Sequence, residues 1–161
     1  MPCYCFMPIV ELAIFLLAGL FDMYNKPMLS LDQTQRAMQA MIEKATREPD
    51  RPVAMAIVDD AGNLLSYARM DKCRPNPQTF AIRKAYTSAM SGQNSADYAE
   101  RLKSQGRTVG DFGNPNLVSA QGAVVILDPA SGAILGAIGV SGLSSQEDED
   151  LSQLGVDALG L

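Results

Sequence analysis

Histidine is absent from this chain of 161 residues. That removes the usual general base near neutral pH and the commonest metal and haem ligand, so neither a Ser-His-Asp nor a Cys-His arrangement can be built. Cysteine is scarce: Cys3 and Cys5 lie near the start and Cys73 stands alone. Three such thiols make no disulfide framework and point to a reducing, cytoplasmic setting. Cys3-Tyr-Cys5 lacks a second thiol pair, so no metal centre is expected. Positive charge is also short, with 13 Lys and Arg against 18 Asp and Glu for a net charge of −5. The basic residues are scattered, and no nucleic-acid partner is expected.

Long apolar runs are missing as well. Pro8 to Phe21 comes nearest, but Glu11 interrupts it and Asp22 bounds it, which leaves it short of a bilayer span. No Lys or Arg precedes it, as a secretory signal requires. Two readings of residues 1–28 stand: an amphiphilic helix packed on the domain or a partner, or residues added by an upstream start codon. The second is preferred, and the domain proper is assigned to residues 29–161.

What is present fits one domain, since 47% of residues are apolar and 19% charged. Ser30 and Gln33 form a capping box ahead of Ala37, Met38, Met41, Ile42 and Ala45, which recur at helical spacing to about residue 47. Residues 53–58 and 63–70 flank the turn Asp59-Asp-Ala-Gly62 and read as a hairpin. Asn76-Pro77 reads as a helix start, with helix over residues 79–90, and a second helix spans 96–105. Residues 107–120 are loop-like. A second hairpin turns at Asp128-Pro-Ala-Ser-Gly132, and Ser144-Ser-Gln-Glu147 heads a last helix to about Leu159. Helix, hairpin, two helices, hairpin, helix is the order of an α+β domain with an antiparallel sheet.

Leu29-Ser-Leu-Asp-Gln, Val58-Asp-Asp-Ala-Gly-Asn-Leu, Ala68-Arg-Met-Asp71, Ala81-Ile-Arg-Lys-Ala-Tyr-Thr87 and Gly136-Ala-Ile-Gly-Val-Ser-Gly142, in that order and followed by an acidic helix, resemble the GlcG/HbpS family, also called the haem-degrading or PduO C-terminal family. The resemblance covers residues 29–159. It implies a profilin-like α+β fold with a sheet of about five strands flanked by helices, and self-assembly into homo-oligomers. It also implies a small-ligand pocket, which in some members holds haem or a corrinoid-related molecule. This chain departs from the haem-binding members in having no imidazole to offer as an axial ligand.

Arg69, Asp71, Lys72 and Arg74 cluster at the exit of the second strand, and a set of cations around one loop suits a carboxylate. Its plainer reading is a solvated loop with weak surface ion pairs. Lys84, on the partly apolar face that holds Phe80 and Thr87, is a candidate base or Schiff-base nucleophile, with Asp71 as its expected partner and Tyr86 as a further catalytic candidate. Such a lysine more often snorkels or pairs with a carboxylate. Asn114 and Gln121 offer neutral hydrogen bonds from the long loop. Gly136, Gly139 and Gly142 mark a strand that something approaches closely, so Gly139 and Ser141 are expected to line a pocket or a subunit contact. The acidic turn after Ser144 speaks against bound phosphate there. Three functions follow: an oligomeric binding protein for a carboxylated or planar small molecule, accessory to a catabolic pathway; a histidine-free enzyme on a small organic acid; or a structural assembly module.

Overall fold

The computed structural model describes residues 25–161. The readings of residues 1–24, including the Cys3-Tyr-Cys5 pair, lie outside them. Helix α1 (Leu31–Ala45) opens on the expected capping box: the Ser30 hydroxyl accepts from the Gln33 N–H at 3.2 Å, and the Gln33 amide oxygen accepts from the Ser30 N–H at 2.9 Å. Strands β1 (Ala54–Asp59) and β2 (Leu64–Arg69) form the first hairpin. Helices α2 (Pro75–Ser91) and α3 (Ser95–Ser104) follow, then a short 3-10 turn (Val109–Phe112). Strands β3 (Ala123–Leu127) and β4 (Ile134–Ser141) make the second hairpin, and helix α4 (Ser145–Asp157) closes the domain.

The four strands form one antiparallel sheet in the order β2-β1-β4-β3. The expected fifth strand is not found among the described residues. Residues 107–120, which carry Gly110, Gly113 and Pro115, turn and loop as their sequence reads. Helix α2 starts earlier than Asn76-Pro77: Arg74 is the extended N-cap and Pro75 takes the first helical position, where the missing N–H costs nothing.

Each sheet face is covered. Helices α1 and α4 pack on one, where Met41, Met55, Ile57, Ile126 and Ile138 are fully buried, each worth about 1.5–3 kcal/mol. On the other, α2 meets the sheet through Ala54, Ala56, Ala81, Ala85 and Ala137. This seam of small side chains lets the helix backbone come so near β4 that a Cβ on Gly139 would lie 2.4 Å from the Ala81 carbonyl oxygen and 2.6 Å from the Ala85 nitrogen. The close approach expected at this strand is therefore made by the chain's own helix.

Strand β3 lies at one end of the sheet, and two of its outward N–H groups are occupied. Ala123 donates to the Ser95 hydroxyl at 2.9 Å and Val125 to the Asn94 side-chain oxygen at 3.1 Å. The helix-start residues of α3 thus close an edge rather than cap their own helix. Among the described residues no helix is long and apolar enough to cross a membrane.

Candidate functional site

The residues expected to carry chemistry fall into three places. The first is the exit of β2. Tyr67 and Arg69 pair across from Ala56 and Ala54, which puts both on the α2 face of the sheet. A tight turn follows, with the Cys73 N–H donating to the Met70 carbonyl at 3.2 Å and Lys72 held at φ 64°. This turn tucks Cys73 inward at 5% exposure and leaves Arg69, Asp71 and Arg74 exposed around it. Gln78, from the first turns of α2, fixes the loop by donating to the Cys73 carbonyl at 2.7 Å.

Electrostatically this corner is cationic. Burial pushes the Cys73 thiol up against the opposing pull of Arg69 and Arg74. Burial pushes the Tyr67 phenol up too, Cys73 adds to it, and Arg69 draws it down. Both groups therefore stay protonated at neutral pH, the thiol as a weak donor and the phenol as a good one. Neither Arg69 nor Arg74 forms an ion pair among the described residues. Two uncommitted guanidiniums beside a half-buried phenol suit an anion with a flat or apolar body.

The second place is the buried side of α2. Lys84 is 4% exposed, and its ammonium lies 2.8 Å from Asp148 and donates to the Val140 carbonyl at 3.0 Å. The other oxygen of Asp148 accepts from the Leu143 N–H at 2.9 Å. The expected partner, Asp71, is exposed at the β2 exit, and Asp148 of α4 takes its place because Lys84 points under the sheet end toward Gly122. In the sequence, Asp148 stands out only as part of the acidic turn after Ser144. Its signal was the periodicity of α4, since Asp148, Leu151, Ser152 and Gly155 recur at helical spacing and form that helix's buried stripe. Ser141 is buried at the end of β4 near this pair, and Gln121 bonds Gln146 at the surface.

The third place is the outer side of α2, where the Tyr86 hydroxyl accepts from the Asn114 amide at 3.1 Å. Arg83, about one turn back, donates to the Pro115 carbonyl and ties the same loop down. Thr87 completes the fastening by accepting from the Val118 N–H at 3.0 Å. Tyr86 and Asn114 are thus brought together, away from Lys84. Arg69 and Arg74 meet at the β2 exit, joined by two residues that sequence reasoning had not placed there, Tyr67 and Cys73.

A family model for the haem degrading protein HbpS-like group matches residues 29–157. The chain is 34% identical to Protein GlcG of Escherichia coli (strain K12) over 119 residues, covering 74% of this chain and 85% of that one. It is similar in structure to a doubly substituted HbpS of Streptomyces reticuli, with TM-score 0.76 at 26% identity over 100% of this chain and 98% of the other. A PduOC:heme complex gives TM-score 0.73 at 22% identity, covering 82% and 95%, and speaks for the fold.

Proposed function

The chain belongs to the HbpS-like family, and on that premise we propose that it is a small-ligand-binding protein whose ligand carries a carboxylate held by Arg69 and Arg74 at the exit of β2. The observation that carries this reading is the pair of uncommitted guanidiniums at a corner where Tyr67 and Cys73 supply a protonated, partly apolar wall. Haem binding, which the heme complex of a structural relative brings to mind, fits this corner only in part. Two arginines suit its propionates. Ligation of its iron by imidazole does not fit, since the chain has no histidine. The ligand is thus recognised by its carboxylates and its flat body, with no step routed through a metal.

In this reading Lys84 is a structural tie, since a buried ammonium held by Asp148 and Val140 is not free to attack or to take up a proton. Copies of the chain assemble in the cytoplasm through the outer edge of β2, supported by Leu64 and Leu65, which stand 49% and 40% exposed there.

Protoporphyrin and its dimethyl ester, titrated against the chain and followed by fluorescence, separate carboxylate recognition from stacking alone. The free acid is expected to bind, the diester at least about tenfold more weakly, and Arg69→Gln with Arg74→Gln to weaken the acid by a similar factor. Equal binding of acid and diester overturns the reading.

A further inference from the structure

On the opposite face of the sheet from Arg69 and Arg74, the end of α1 and the first turns of α4 stand apart and leave a cleft of about 310 Å³. That is the lower end of the range for small-molecule sites. Its floor is apolar: Val53 and Leu151 are core residues at 1% and 5% exposure, Leu143 is half-buried, and Leu154 stands 37% exposed at the mouth.

The charges on its rim divide into used and unused. Arg51 lies 2.8 and 2.7 Å from the two carboxylate oxygens of Glu147 and 2.9 Å from Glu48, so these three charges satisfy one another and form a finished wall. Two others are left over. Lys44, on the α1 side, makes no ion pair among the described residues. Asp150, on the α4 side, accepts only the neutral amide of Gln146, at 2.9 Å. One spare cation and one spare carboxylate thus line opposite walls of a single apolar cleft without forming an ion pair with each other.

We propose that this cleft binds a small apolar zwitterion, of the class of free amino acids with aliphatic or aromatic side chains. The ligand's carboxylate pairs with Lys44 and its ammonium with Asp150. Its side chain lies on Val53, Leu143, Leu151 and Leu154 and covers the exposed part of Leu154. A ligand with a single charge leaves one wall unanswered, and a larger one exceeds the volume.

The test is calorimetric titration of the full chain with L-leucine, beside isocaproate and isoamylamine, which keep the apolar body but carry one charge each. L-Leucine is expected to bind saturably, the two analogues at least about tenfold more weakly, and Lys44→Met and Asp150→Asn each to weaken L-leucine by about tenfold or more. Both positions are exposed, so circular dichroism should show both variants folded. Leu154→Glu, also at an exposed position, should abolish binding while the porphyrin titration stays unchanged. No saturable heat with L-leucine or L-phenylalanine up to about ten millimolar overturns the proposal. So does equal binding of either single-charge analogue, or unchanged L-leucine affinity in both charge variants.

Discussion

At the scale of single residues, the buried Lys84–Asp148 pair carries the largest stake. An ammonium and a carboxylate 2.8 Å apart and both nearly sealed from water tolerate the loss of neither partner alone, because the survivor is left charged and unanswered. Lys84→Met is expected to cost about 3–5 kcal/mol in urea unfolding, and Lys84→Met with Asp148→Leu to recover much of that. A second residue-scale test concerns Lys72, a non-glycine residue held at φ 64°. Its side chain makes that backbone region unfavourable by about 1 kcal/mol, so Lys72→Gly should raise the melting temperature. An unchanged or lower melting temperature means the turn is not strained.

Elements meet through backbone contacts and helix ends. Helix α2 sits directly on β4 because Gly139 has no side chain, and the atoms a Cβ would strike belong to the helix backbone. They cannot swing aside. Gly139→Ala is expected to destabilise by about 1–3 kcal/mol or to leave the chain insoluble, read by thermal melting and by soluble yield. At the start of α4, Glu147 is held by Arg51, then by the Ser144 hydroxyl and N–H, and its carboxyl is lowered to about 2 from the ordinary 4.5. A carboxyl lowered on folding contributes stability that is fully present above the unfolded value and lost as pH falls through the folded one. The melting-temperature gap between the native chain and Glu147→Gln should therefore hold steady above about pH 5 and close between there and pH 2. A gap that does not change over that range removes the ion pair as its cause.

For the whole molecule, element order was legible in the sequence, and the reasons are local. Capping boxes at Ser30 and Ser144 and turns at Asp59-Asp-Ala-Gly62 and Asp128-Pro-Ala-Ser-Gly132 act over a few residues, so they read directly. Which element lies against which is set by long-range packing. The close approach that Gly139 signals, read as a pocket or a subunit contact, is made by α2; Lys84, read as a partner of Asp71, is paired with Asp148, 64 positions on. Of the candidate site, Arg69 and Arg74 were visible because the strand exit and its turn hold them together, whereas Tyr67 and Cys73 joined them only through the register of β2 and the depth of the turn.

The two ends of the sheet differ in what they leave open. At β3 the helix-start side chains of Ser95 and Asn94 take the N–H groups of Ala123 and Val125, whereas among the described residues no strand pairs with β2 on its outer side. Were two copies to join β2 to β2, the contact would be isologous and would use the β2 edge of each copy. Strand addition of that kind would end at a two-fold pair, because Ala123 and Val125 on the β3 side already donate to side chains of the same chain.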